Sequence, residues 1–316
     1  MTYLRATGSY LPTRIVTNDE LATAIAEPAD WILRSTGIRE RRYAADDQTV
    51  TDLAVLAAQA CLTNANLAAT DLGIVLVASG SPDRYCPGPA SQVAARLGLT
   101  STPALDIPVA SAGSLIALAM AMAFAPTVGR VLVVGAEVMS RRIQRTPDGR
   151  NTAILFGDGA GALLVDPSVG FLRLADAALF TDGTAAEILT VDTAGIHMDG
   201  GSVILRASRK LPAAITDLLD RNQLAAADIG TVLMHQANLN LIHKIAGVLA
   251  IPTDRCFTNI DRYGNTSAAS LPIATAEWHL HNPAPSAPVV LAAFGTGINY
   301  GAILALPNQP QASPTS

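Results

Sequence analysis

Aromatic residues make up only 4% of the 316-residue chain, and charged residues only 15%. A core of stacked rings and a densely charged surface are both excluded. With half the residues hydrophobic, the composition implies a large core of small and medium aliphatics, with apolar surface left for an oligomer interface. Basic residues are outnumbered 21 to 26 by acidic ones and form no block, so nucleic acid is not an expected partner. Cys61, Cys86 and Cys256 are far apart, without a C-x-x-C pair, which excludes a disulfide framework and fits reduced thiols in a cytoplasm. The N-terminus has no basic head ahead of an apolar core, so no signal peptide is expected. The apolar run near 112–125 is shorter than the roughly 20 residues a membrane span needs, so no membrane partner is expected. His279 and His281 have no acidic or Cys neighbours and read as surface residues; no metal site is expected. Residues 307–316, rich in Pro, Gln and Ser, read as a disordered tail.

What is present is a repeat. Residues 67–77 (LAATDLGIVLV) align with 224–234 (LAAADIGTVLM), an offset of 157, and Ser111–Leu115 aligns with Ser267–Leu271 at 156. Val131-Leu132 before Gly135 is echoed by Val290-Leu291 before Gly295. Three matches in one order at nearly one offset imply a duplicated unit. Continuous apolar runs at 74–77, 131–134, 232–234 and 289–293 read as strands covered on both faces. Alternation with helical stretches gives an α/β layered fold, with halves at 1–166 and 167–306. A pseudo-twofold axis between them brings Ser111 near the turn at 264–267.

Ser111 lies between a strand candidate at 103–107 and an Ala/Leu/Met-rich helical run to Ala125. It reads as the first helical residue, either a plain N-cap or a hydroxyl among unpaired N–H groups at the positive end of the dipole. Trp31, ahead of Arg34, a Gly turn at Gly37 and Arg39, reads equally as a platform for a flat ring or as a core residue. Cys86, in a Pro-rich loop, reads as a small apolar lining residue. Arg141, Arg142 and Arg145 read as a solvated face, with Arg150 a candidate for phosphate. Gly157–Gly161 tempts a nucleotide-loop reading, but strand-like residues at 162–165 follow it where a helix is needed, so a Gly-rich hairpin is expected. Gly200-Gly201 reads as a turn before an amphipathic stretch. His235 ends a strand in the half opposite Ser111, and Asn265 sits in the turn that mirrors the Ser111 turn. A nucleophile with a His and an Asn hydrogen-bond donor suits acyl transfer. The G-x-S-x-G elbow is absent, since Val109 occupies its first Gly position.

At these residues the chain resembles the β-ketoacyl-ACP synthase III family of thiolase-like condensing enzymes, from Tyr3 to about Leu306. The residues that carry the resemblance are Trp31 with 36–40 (TGIRE), the 106–113 segment, Arg150, 156–161 (FGDGAG), 235–238 (HQAN), 264–270 (GNTSAAS) and 294–297 (FGTG). The resemblance implies a five-layered αβαβα sandwich, a homodimer, and acyl-CoA as a substrate with no bound cofactor. It implies Ser111, His235 and Asn265 as the catalytic set, and Gly295 and Gly297 as an oxyanion or turn element. Trp31 and Arg150 would flank the CoA adenine, Asn238 would face the pantetheine arm, and Cys86 would shape the partner subunit's acyl pocket.

The departures are informative. The family nucleophile is Cys, whose thiolate a helix terminus helps to form; a serine hydroxyl needs a general base, and His235 is the His placed to serve. Serine here fits a natural acyltransferase, a Cys→Ser replacement that traps substrate, or a chain that has lost acylation and persists as a decarboxylase or non-catalytic partner. Retention of His235 and Asn265 favours a working site. Positions basic in the family for docking an acyl carrier protein are Leu205 and Asn240 here, with Arg206, Arg209, Lys210 and Lys244 nearby as substitutes. The expected activity is acyl transfer to a malonyl-type acceptor by decarboxylative condensation, with ester or amide formation as the alternative.

Overall fold

The computed structural model describes residues 1–308. Its centre is one ten-stranded sheet to which each half contributes five strands. From the middle outward, the first half runs Thr2–Tyr10, Asp158–Asp166, Arg130–Val138, Leu72–Ala78 and Ala104–Ile107. The second runs Leu172–Thr181, Asn299–Pro307, Val289–Gly295, Thr231–Met234 and Cys256–Phe257. Directions match as well as order. Leu72–Ala78 and Thr231–Met234 are each parallel to both neighbours, and the remaining pairs within each half are antiparallel. The halves join where Thr2, Tyr3 and Leu4 lie antiparallel to Leu174, Arg173 and Leu172.

Successive side chains of a strand point to opposite faces, so each strand feeds two layers. Val131 and Val133 pack in one cluster with Leu115, Leu118, Leu271 and Trp278, while Leu132 and Val134 pack with the helix Val50–Ala65. In the other half Val289, Leu291 and Ala293 enter the same central cluster. Val290, Ala292 and Phe294 face outward against the helices Gly200–Arg221 and Leu239–Val248. The helices Gly113–Val128 and Ser270–His281 therefore lie between two sheet halves that are each covered again outside, which gives five layers, αβαβα. The first of these central helices has no charged residue, as burial on both sides demands.

Several local expectations are corrected. Gly157–Gly161 is no hairpin, because Asp158–Asp166 is one unbroken buried strand. The glycines there serve close approach: a Cβ on Gly161 would stand 2.6 Å from Pro272 Cβ on the central helix. Gly200 and Gly201 open a helix capped by Asp199, which accepts the Ser202 N–H, instead of forming a turn before it. Arg141 is not merely solvated, since its guanidinium donates to the Ala45, Asp46 and Gln48 carbonyls. Arg142 likewise donates to Pro82 O. His279 is half-buried and stacks on Phe171 with ring centroids 3.6 Å apart. Pro307 ends a strand opposite Leu172, and Asn308 donates to Gly170 O; the rest of the tail lies outside the described residues. Among the described residues no helix is long and apolar enough to cross a membrane.

Candidate active site

The chain leaves Ala104–Ile107 and enters the helix Gly113–Val128 through Pro108–Ala112. Ser111 makes that reversal by adopting φ +64°, a left-handed conformation that costs an ordinary residue about 1–2 kcal/mol. It is thus neither the first helical residue nor an N-cap; Ala112 holds the capping position, with no side-chain cap. Tertiary hydrogen bonds offset the strain. The Ser111 N–H donates to Ser267 Oγ at 2.9 Å, and the Ala110 N–H donates to Thr296 Oγ1 at 3.0 Å. Gly295 is required beneath this turn, because a Cβ there would meet Ala110 O at 2.2 Å.

His235 follows the strand Thr231–Met234, and its N–H donates to Ala292 O at 2.8 Å. Its Nδ1 lies 2.5 Å from Ser270 Oγ, which also accepts the Gln236 N–H at 3.2 Å. In the tautomer in which the buried Ser270 hydroxyl donates to Nδ1, Nε2 carries the imidazole proton. Burial pushes the imidazole pKa down to about 3, which keeps the ring neutral. Asn265 is fixed at both ends of its backbone: its N–H donates to Leu155 O and its carbonyl accepts the Gly157 N–H. Its Oδ1 accepts the Ser267 N–H at 2.8 Å, which leaves the amide N–H₂ as its free donor.

Ser111, His235 and Asn265 line one narrow cavity of about 100 Å³, with Asn238, Ser267 and Thr296 as further polar residues. The remaining wall is apolar, including Met139, Phe156, Ile196 and Ile204. A hydroxyl and two neutral N–H donors in such a setting suit chemistry in which negative charge develops on oxygen.

The other expected site residues are placed differently. Asn238 lines the cavity, but its Oδ1 caps the helix Leu239–Val248 and its Nδ2 donates to Ser35 O at 2.9 Å. Gly295 and Gly297 do not line it; the former supports the Ser111 turn, and the latter turns the chain at φ +66°. Trp31 lies half-buried on the helix Ala29–Thr36 against a cluster containing Val16, Ile32 and Ile154. Arg150 is exposed and sits 3.4 Å from Glu27. Cys86 is exposed and does not line the cavity within one chain. Arg206 and Lys210 both pair with Asp182, at 2.8 and 3.1 Å, and the Asn240 amide donates to the Arg34 and Ser35 carbonyls.

One residue was missed. Glu137 is fully buried beside the Ser267 turn, and its carboxylate accepts from Ser79, Ser81 and Ser267 hydroxyls and from the Gly80 and Ala268 N–H groups. The available signal was an acid at the end of an apolar strand, where a charge needs partners.

Two family models match: 3-oxoacyl-[acyl-carrier-protein] synthase III over residues 105–183 and its C-terminal counterpart over 219–306. A β-ketoacyl-[acyl-carrier-protein] synthase III of Oleidesulfovibrio alaskensis is 38% identical, covering 96% of this chain and 98% of its own. That of Dinoroseobacter shibae is 39% identical over 94% and 96%. The 3-oxoacyl-[acyl-carrier-protein] synthase III structure from Aquifex aeolicus superposes with TM-score 0.92 at 33% identity, covering 97% and 100%. The priming β-ketosynthase of the R1128 polyketide pathway gives 0.87 at 30%, covering 98% and 97%.

Proposed function

Because the chain belongs to the β-ketoacyl-ACP synthase III family of acyltransferases, with its thiolase-like fold, we propose that Ser111 takes an acyl group from acyl-CoA and passes it to a malonyl-type acceptor by decarboxylative condensation. In the first half-reaction Ser111 Oγ attacks the thioester carbonyl, the C–S bond breaks and CoA leaves as its thiolate. In the second, the malonyl C–C bond breaks and carbon dioxide departs. The enolate oxygen receives the His235 Nε2–H and an Asn265 amide N–H, and the enolate carbon attacks the acyl-Ser111 carbonyl. Formation of the C–C bond expels Ser111 Oγ and yields the β-keto product.

The observation that supports this best is the meeting of Ser111 with two neutral donors in one apolar cavity. In a dry site such donors stabilise an enolate without reorganising. A low His235 pKa suits a donor and not a base. The adenine of CoA would lie between Trp31 and Arg150, with Arg150 released from Glu27, and the pantetheine arm would pass Asn238. The working form would be a homodimer, with Cys86 reaching the partner's acyl pocket, and an acyl carrier protein would present the acceptor.

Incubation with a panel of acyl-CoAs and intact-protein mass spectrometry tests the first step. The expected result is an acyl adduct that is lost in Ser111→Ala. No adduct with any donor would leave a non-catalytic partner subunit instead. Malonyl-CoA and malonyl-ACP then distinguish condensation, with carbon dioxide and a β-keto product, from ester or amide formation.

A further inference from the structure

Acyl transfer through a serine leaves one proton without a destination. The Ser111 hydroxyl must lose it as the new C–O bond forms, and His235 cannot take it. Its Nδ1 is engaged by Ser270, burial disfavours the imidazolium, and among the described residues no hydrogen bond joins the ring to Ser111. The group beside the Ser111 hydroxyl is instead Ser267, with the two Oγ atoms 3.5 Å apart and the Ser111 N–H already bonded to Ser267 Oγ. Ser267 in turn donates its own proton to Glu137 Oε1 at 2.9 Å.

Resting on the acyl-transfer proposal above, we propose that Ser267 and Glu137 form the general-base relay that activates Ser111 and later reprotonates it. Ser267 touches the reacting oxygen, and Glu137 acts through Ser267. As Ser111 Oγ bonds to the acyl carbon, its proton passes to Ser267 Oγ while the Ser267 proton passes to the Glu137 carboxylate. Ser267 ends as it began, Glu137 becomes a carboxylic acid, and the CoA thiolate takes a proton from bulk water. When condensation expels Ser111 Oγ, Ser267 returns a proton to it and recovers one from Glu137, so the proton count closes over the two half-reactions. A protonated leaving oxygen also offsets the weakness of an oxygen ester as acyl donor.

The hydrogen-bond capacity closes in both states. A hydroxyl has one donor and two acceptor lone pairs. At rest Ser267 Oγ donates to Glu137 and has its two lone pairs for the Ser111 N–H and O–H. In the acyl-enzyme it donates to Ser111 Oγ and accepts from the Ser111 N–H and the protonated Glu137. Glu137 suits proton storage: it is fully buried, and no cation is paired with it among the described residues. Burial pushes its carboxyl up, against the pull of the surrounding hydroxyl and N–H donors.

The test compares the relay with a nucleophile that does not need it. A thiol ionises far more readily than a hydroxyl, so Ser111→Cys should acylate independently of Ser267 and Glu137. Acylation by acetyl-CoA and octanoyl-CoA is followed by rapid quench and intact mass. Removal of a general base typically costs 10²–10⁴-fold. We therefore expect Ser267→Ala and Glu137→Gln each to slow acylation of Ser111 by about 100-fold or more, and to slow it at least about tenfold less in the Ser111→Cys background, where only the support of the turn is lost. Equal slowing in both backgrounds, or slowing in neither, overturns the relay and leaves acyl transfer standing. If neither the native chain nor Ser111→Cys is acylated, acyl transfer itself is excluded and the relay goes with it. Should Glu137→Gln fail to fold, the Ser267→Ala pair decides the question alone.

Discussion

The turns at Ser111 and Ser267 are the same backbone event in two halves of one chain. Both residues follow an outer strand, both adopt a left-handed φ of +64° and +50°, and both lead into a central helix. Their surroundings have diverged. Two residues before Ser267 stands Asn265; two before Ser111 stands Val109. At the end of the second strand of the repeat, the second half has His235 where the first has Ala78. The carboxylate that receives the Ser267 turn, Glu137, belongs to the first half; the hydroxyl that receives the Ser111 turn, Thr296, belongs to the second. Duplication supplied two equivalent turns, and divergence gave one the Ser111 hydroxyl and the other the His235 and Asn265 side chains. Neither half holds a complete site.

Substitutions that erase this difference sharpen the comparison. The largest effect is expected from Ser111→Ala, with the acyl adduct abolished and the fold kept, as intact mass and circular dichroism would show. His235→Ala and Asn265→Val make the second half resemble the first. Each should lower carbon dioxide release from a malonyl donor by about 10²–10³-fold, the usual cost of losing one oxyanion donor. Adduct formation on Ser111 should persist in both, and its loss would show that the donors serve the first step too.

Packing separates the turns next. Gly295→Ala drives a Cβ into the Ser111 turn and should destabilise the fold by about 1–3 kcal/mol, read as a lower Tm. His235 also ties stability to pH. Its folded pKa of about 3 lies below the ordinary value of 6.5, so between those values the unfolded chain binds the extra proton. The contribution is complete above about 6.5 and is lost as pH falls toward 3, and denaturant titrations of His235→Gln should show a flatter acid limb. The smallest effect belongs to Asn238→Ala, about 1 kcal/mol of stability from the lost helix cap.

The layered fold was legible because it rests on periodicity and repetition. Each of the four apolar runs at 74–77, 131–134, 232–234 and 289–293 lies inside a strand, and the single repeat offset carried the symmetry of the whole sheet. The site was legible as far as residue type marks chemistry, so Ser111, His235 and Asn265 stood out and line one cavity. What escaped depends on tertiary contact. The glycines at 157–161 suggest a turn until a central helix is laid across them. Ser111 reads as a cap until the opposite half strains it into a left-handed conformation. Glu137 was invisible as a hub because its five partners come from two distant segments, 79–81 and 267–268.

The antiparallel seam between Thr2–Leu4 and Leu172–Leu174 has a consequence for biogenesis. Thr2–Tyr10 occupies the middle of the finished sheet, and its neighbours on either side, Asp158–Asp166 and Leu172–Thr181, are translated more than 140 residues after it. Such distant pairing is slow to close. Thr2–Tyr10 therefore waits with both edges unsatisfied until the strands that flank it have left the ribosome, and through that interval its unpaired edges are open to chaperones.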